Sequence, residues 1–281
     1  MVAFCCYNPL MRGGFLCEEH SIDKNEFLRR SKWEYIKGGK ALADFYKMTF
    51  TFKNNFVEDK EETLFDYLST LYKNGQTYSD YQLVKKDHTY VAYLTVPDKN
   101  ALDPRFNSTF TNKYLHDIET ELEHLGENIV TGESCCCNEP SWYMLYTDFT
   151  SNESPIVCGD CGHGIPLYKV QHIMGEEGHF SILSWQKVYK SIDNIWIYCL
   201  SDRFSKRQLS DPDSQLSRIG MDICAELEKV LKKPVYYFLY QPGKMTENCP
   251  KCGGKWKCSD RTETVDFICN DCRLATDDPT K

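Results

Sequence analysis

Nothing in this 281-residue chain approaches the eighteen consecutive apolar residues that a membrane helix needs. Residues 1–14 carry neither a basic n-region nor a continuous apolar core, so a secretory signal is not expected there. The seven histidines, at positions 20, 88, 116, 124, 163, 172 and 179, form no HExxH or other zincin pattern. No Ser/His/Asp arrangement and no glycine-rich phosphate loop can be read from the sequence. No catalytic residue is therefore assigned, and the chain is expected not to be an enzyme. Positive charge is also short, with 33 Lys and Arg against 41 Asp and Glu, a net of −8. Nucleic-acid affinity draws heavily on phosphate neutralisation, so this balance tells against general duplex binding. Disorder is excluded from the other side, because 41% of residues are apolar and 14% aromatic.

Cysteine is what the chain has in excess. There are fifteen. With no expected signal and with CxxC pairing, they read as reduced thiols of a cytoplasmic protein rather than as a disulfide framework. The most specific pattern is Cys249-Pro250-Lys251-Cys252-Gly253-Gly254 and Cys269-Asn270-Asp271-Cys272, with sixteen residues between Cys252 and Cys269. Two CxxC pairs at this separation have the spacing of a zinc ribbon. Each pair offers two thiolates from one tight turn, and the segment between can run out and back as a hairpin around one tetrahedral ion. Iron is the weaker rival for the same sulfurs. Four thiolates leave no open position for water, so Zn2+ at Cys249, Cys252, Cys269 and Cys272 would be structural.

A second cluster is more open. Cys158-Gly159-Asp160-Cys161-Gly162 has the form of a zinc knuckle and also that of a thiol–disulfide site. A redox pair belongs at a helix N-terminus, which lowers the pKa of its first thiol. Gly162, Gly164 and Pro166 follow directly and oppose a helix, which leaves the redox role a minor alternative. The further ligands of a metal would come from the triplet Cys135-Cys136-Cys137, with His163 beside the knuckle. One expectation is a second zinc held by Cys158, Cys161 and Cys137. The other is a set of unliganded thiols, since free cysteine behaves as a small apolar residue. Cys199 and Cys224 lie within apolar runs and read as core.

Periodicity gives an α+β chain in three regions. Residues 1–134 form an N-terminal α+β region, 135–240 a cysteine-knuckle and helix–strand region packed on it, and 241–281 the C-terminal zinc ribbon. Helices are expected over 26–35 and 41–45. Then come a strand at 47–52, a helix at 61–72 and strands at 81–84 and 90–96. A helix at 114–125 follows, with Leu115, Ile118, Leu122 and Leu125 on one stripe, and then a strand at 141–149. That order, β-α-β-β-α-β, is the split βαβ pattern of ferredoxin-like folds. Further on, 183–189 reads as a helix and 195–200 as a strand. Residues 214–231 form the strongest helix, which Pro234 closes off before an aromatic strand at 235–240.

The C-terminal half resembles an uncharacterised bacterial family of zinc-ribbon-containing proteins that are candidates for nucleic-acid binding. The resemblance runs over roughly 141–274. It is carried by Ser141-Trp142-Tyr143-Met144-Leu145-Tyr146-Thr147, Ser154-Pro155, Cys158-Gly159-Asp160-Cys161 and Ile165-Pro166-Leu167-Tyr168. Arg207-Gln208-Leu209-Ser210, Pro234-Val235-Tyr236-Tyr237, Cys249-Pro250-Lys251-Cys252-Gly253-Gly254 and Phe267-Ile268-Cys269-Asn270-Asp271-Cys272-Arg273-Leu274 carry the rest. The resemblance implies zinc at the C-terminal knuckles and makes the Cys158/Cys161 pair part of a shared pattern. It brings no catalytic residues and leaves 1–134 unassigned.

These readings converge on a non-catalytic zinc-binding protein whose partner is nucleic acid, RNA in particular, or a basic protein. Phosphate contacts would come from Lys251, Lys255, Lys257, Arg261 and Arg273, with stacking on Trp256 if that ring is exposed; the commoner arrangement for such a ring, and the one expected first, is packing over the knuckle. The alternative is an acidic interaction module, such as an immunity-type inhibitor of a basic partner, using the surplus of carboxylates.

Overall fold

A computed structural model describes residues 42–53, 57–129, 131–175, 177–242, 246–258 and 264–278, all within the unit Glu34–Lys281. The helix expected over 26–35 lies outside the described residues, as do Cys5, Cys6, Cys17 and Arg261. The architecture is α+β with two separate sheets.

Alternation of side chains builds the first sheet. Strand β1 (Ala43–Phe52) is followed by helix α1 (Lys60–Lys73), strands β2 (Gln82–Lys86) and β3 (Thr89–Val96), helix α2 (Thr109–Tyr114) and strand β4 (Ile118–Asn128). The strands pair antiparallel in the order β2-β3-β1-β4. This is a β-α-β-β-α-β order with the spatial order of a ferredoxin-like sheet, as expected, but its last helix and strand are other residues than those read from the sequence. Met48 and Phe50 of β1 and Tyr90, Ala92 and Leu94 of β3 point to one face, where they meet Leu64, Leu68 and Leu71 of α1. Each such side chain taken from water contributes about 1.5–3 kcal/mol. Helix α1 starts where the Asp59 carboxylate accepts from the Glu62 amide at 2.8 Å, and its charges, Glu61 and Glu62 first and Lys73 last, suit the helix dipole.

Two expected elements are corrected here. The helix over 114–125 is instead β4, paired with β1 across ten register positions, and only the short α2 precedes it. Of the supposed stripe, Ile118 is 1% exposed while Leu122 and Leu125 are 42% and 44% exposed. The run Ile118-Glu119-Thr120-Glu121-Leu122-Glu123 fits period two as well as period 3.6, and the free edge of β1 decides between them. The fourth strand of this sheet is therefore β4, and residues 141–149 contribute only a short strand to the second sheet. The helix expected over 41–45 is also replaced, since Ala43 opens β1.

The second sheet assembles strands that are far apart in sequence. They are β5 (Tyr143–Leu145), β6 (Ile156–Cys158), β7 (Val235–Phe238), β8 (Phe267–Cys269) and β9 (Leu274–Thr276), in the order β6-β5-β7-β9-β8. β5, β7 and β9 run parallel, and the outer strands β6 and β8 return antiparallel. The two ribbon strands thus extend the sheet that β5 begins. Helices α3 (Phe180–Ile197), α4 (Asp202–Ser210) and α5 (Gln215–Leu231) supply the layer over it. Trp185, Leu216, Ile223 and Leu227 pack with Leu145, Val235 and Tyr237. On the other face, Met144, Tyr236 and Phe238 pack with Val265. Buried on both faces, β7 reads as an unbroken apolar run rather than an alternation. The strand expected over 195–200 is the end of α3 instead. It closes in a Schellman turn, with Leu200 N–H donating to Ile195 O and Cys199 N–H to Trp196 O, both at 3.0 Å. Cys199 takes the left-handed position and is exposed, contrary to its reading as core, while Cys224 is buried.

The two sheets meet along the segments that follow α1 and β6. Tyr168 inserts into the first core and donates to Asp98 at 2.7 Å, with Lys169 on the same carboxylate. His179 is wholly buried beside His172, and neither of its ring nitrogens has a partner among the described residues. Burial, assisted by His172, lowers its pKa to about 3. On acidification the unfolded chain takes up this proton from about pH 6.5 downward, while the folded chain stays neutral until about 3. Stability should therefore be lost as pH falls through that window, with this one group contributing up to ~1.4 kcal/mol per pH unit. Urea unfolding of metal-saturated protein between pH 6.5 and 5.5 should show a shallower slope in His179→Leu. An identical slope would remove His179 as the cause.

Candidate metal centres

The described cysteines form no disulfide, and eight of them gather into two groups of four. One group is Cys249, Cys252, Cys269 and Cys272, the set read from the ribbon spacing. The other is Cys135, Cys137, Cys158 and Cys161. Within each group all four sulfurs lie within 4.8 Å of one another. Cys161 and Cys135 sulfurs are 3.5 Å apart, and those of Cys252 and Cys269 are 3.7 Å apart. A tetrahedron with metal–sulfur bonds of about 2.3 Å has edges of about 3.8 Å. Both donor sets fit one tetrahedral metal ion.

The local chain explains the convergence. In the first knuckle the Cys158 N–H donates to His163 O at 2.9 Å and the Gly162 N–H to Cys158 O at 2.8 Å. In the second, the Cys249 N–H donates to Gly254 O at 2.7 Å and the Gly253 N–H to Cys249 O at 2.9 Å. The frames are the same, residue for residue. Each needs a left-handed residue just after its second cysteine, and Gly162 (φ 75°) and Gly253 (φ 73°) supply it without a Cβ penalty. The third knuckle, Cys269 to Cys272, turns between β8 and β9, where Cys269 pairs with Leu274. Its left-handed residue is Arg273 (φ 52°).

The guanidinium of Arg273 forms a bidentate pair with Glu228 of α5, at 3.0 and 2.9 Å, and lies over the Tyr236 ring. These contacts offset the backbone cost of about 1–2 kcal/mol for a non-glycine residue there. They also take Arg273 out of the set of cations free for phosphate.

The sequence reading left Cys135 out, and its signal was present. Cys135 and Cys137, two positions apart, bring their sulfurs to one group while Cys136 between them is exposed. The Cys137 N–H donates to Cys135 Sγ at 3.3 Å. His163 is not in the donor set and lies 3.5 Å from Glu133. The Cys158 knuckle is a hairpin tip, with no helix behind Cys158 to favour redox chemistry.

Proton sharing sets the pH response. Hydrogen bonds from Cys135 and then Cys161 hold the Cys158 thiol well below its ordinary pKa, and the same contacts push Cys135 far above it. In the other group the Gly254 N–H leads in lowering Cys252, while burial leads in raising Cys272. Without a cation each cluster retains protons that a metal must displace, so metal occupancy falls as pH falls.

Both knuckles stand at one end of the second sheet, because Cys158 pairs with Tyr143 and Cys269 with Leu274, each at the start of a parallel strand. Four strand spacings put them roughly 20 Å apart. Gly159 lies against Trp142 so closely that a Cβ there would come 2.0 Å from the indole. Trp142 meets Tyr236 edge-on at 5.4 Å, and the Tyr236 hydroxyl donates to Asn270 at 2.6 Å. Between the two centres opens a cleft of about 530 Å³ lined by Trp142, Tyr236 and Asn270 with Lys255 and Lys257. Trp256 also borders it but is 2% exposed, its Nε1 donating to Thr246 O, so it offers no free face for stacking.

Residues 137–240 match a family described as a domain of unknown function, DUF2310, and residues 45–127 match another domain of unknown function, DUF8589. Two uncharacterized proteins of Haemophilus influenzae are similar to this chain. One is 28% identical over 196 residues, 64% of this chain and 74% of that protein. The other is 29% identical over 193 residues, 63% of this chain and 93% of that protein. The similarity is thus to uncharacterised bacterial proteins. No solved structure matches the chain. No helix among the described residues is long and apolar enough to cross a membrane.

Proposed function

We propose that this is a non-catalytic, zinc-stabilised binding protein that contacts single-stranded nucleic acid, RNA in particular, through the cleft between its two four-cysteine centres. The observation that carries the reading is the pair of closed donor sets framing one concave surface at the same end of one sheet. Four thiolates around zinc leave no site for substrate or water, so both metals would act as staples. Trp142, half-buried, gives that surface an aromatic edge backed by the buried ring of Tyr236, and Lys255 and Lys257 give it local positive charge on an acidic chain. Stacking of unpaired bases with a few phosphate contacts suits such a surface better than a duplex does. Fluorescence anisotropy with a labelled single-stranded RNA, at low and physiological salt, tests it. Binding should weaken with salt and fall at least tenfold in Lys255→Glu, Lys257→Glu. Equal, salt-insensitive affinity in that variant would end the proposal.

A basic protein is the second reading, favoured by a specific feature. Glu119, Glu121 and Glu123 form an exposed acidic row on the edge strand β4. This reading expects a basic protein to be recovered from nuclease-treated lysate and lost with Glu119→Lys, Glu121→Lys. Recovery only from untreated lysate would favour the nucleic-acid reading instead.

A further inference from the structure

A separate cavity of about 300 Å³ opens where the segment after α1 meets α3 and the loop before β6. It shares no residue with the cleft between the cysteine centres. Tyr72, Pro155, Leu167 and Leu183 form its apolar walls. Lys187 and Lys190, one turn apart on α3, bring two ammonium groups to it. Its size is at the small end for ligand pockets, and an apolar lining with a few polar groups is what such pockets share.

Two of its polar groups are incompletely matched, one by charge and one by hydrogen bonding. Lys190 is half-buried, and its ammonium donates to Ser151 O and to Asn152 Oδ1, both neutral oxygens. Among the described residues it makes no ion pair. The Thr77 hydroxyl, on a residue 3% exposed, has no hydrogen-bond partner among them. A half-buried cation whose hydrogen-bond acceptors are neutral, with carboxylates acting on it only from longer range, is incompletely compensated, and an unpaired buried hydroxyl is costly. Burial indeed lowers the Lys190 pKa, against the opposing pull of Asp148, Glu153 and Asp80. A carboxylate would supply both missing partners, as counterion to Lys190 and acceptor for Thr77 Oγ1.

We propose that this cavity binds a small organic acid, its carboxylate on Lys190 and Thr77 and its apolar body against Tyr72, Leu167 and Leu183. Glu153, also on the wall, accepts from the Gly132 N–H and limits the anion to a single charge.

The test is a calorimetric titration of the metal-replete full chain with acetate, butyrate, hexanoate, benzoate and 3-phenylpropionate, each beside its neutral amide. At least one acid larger than acetate should bind saturably, at least tenfold tighter than its amide. Lys190→Gln should lose at least tenfold in affinity, and Thr77→Val should lose a smaller factor. Ser191→Trp, at the exposed rim, should obstruct entry without touching the buried walls, which keeps the test valid if Lys190→Gln fails to fold. No saturable binding by any acid at 10 mM would overturn the proposal. So would equal binding of acid and amide, or undiminished binding in Ser191→Trp. None of these outcomes depends on whether the cleft between the cysteine centres takes nucleic acid.

Discussion

Replacing Cys252 and Cys272 together by serine is expected to release the C-terminal metal and unfold more than the ribbon. Cys249, Phe267, Cys269 and Leu274 belong to the same buried cluster as Trp185, Leu227 and Tyr237. The β8–β9 hairpin is also joined to β7 by parallel pairing, so its loss exposes the edge of β7. Structural zinc contributes about 10–16 kcal/mol to folding in zinc-finger peptides, comparable to the ~5–15 kcal/mol by which a whole domain is stable. The loss should therefore be global for the second sheet. Elemental analysis should show at least one zinc fewer per chain, and near-ultraviolet circular dichroism should lose the tryptophan and tyrosine signals of that core. Full zinc retention with an unchanged melting temperature would refute the assignment.

The cysteine triplet provides the second large effect and the sharper discrimination. Cys135→Ser and Cys137→Ser should each lower the zinc content from about two per chain to about one, while Cys136→Ser leaves it unchanged. The reason is geometric, since only the two alternate positions bring sulfur to Cys158 and Cys161. Elemental analysis of the three single variants settles the matter. An equal loss in all three, or none in any, would show that the group does not hold a metal. Reactive Cys158 and Cys161 thiols in the fully metallated protein, with measurable disulfide-reductase activity, would point to a redox pair instead.

The sequence alone carried the ribbon because its four cysteines are paired locally. A CxxC turn and a left-handed residue after it are short-range features, and a hairpin brings two such turns together with little choice. The first four elements, β-α-β-β, were legible for the same reason, since α1 and the β2–β3 hairpin follow from periodicity and turn residues within a few positions, while the helix and strand that complete the sheet were displaced from their expected places. The identity of the fourth strand was not legible. Residues 118–128 satisfy both periods, and only the unpaired edge of β1, some seventy residues away, selects the strand. The second metal centre failed similarly. Its knuckle was visible at Cys158 and Cys161, but the other two sulfurs come from a segment with no CxxC turn to mark it, and pairing of Ser134 with Gly164 brings that segment into place. Trp256 and Arg273 divide on the same line. The packing of Trp256 over its knuckle was the stronger of its two sequence readings and the fold buries it, whereas the pairing of Arg273 with Glu228 of a distant helix had no local signal. Local covalent pattern fixed which residues can hold metal in a turn. Long-range strand pairing decided which turns meet, because that choice depends on free edges that no short window of sequence contains.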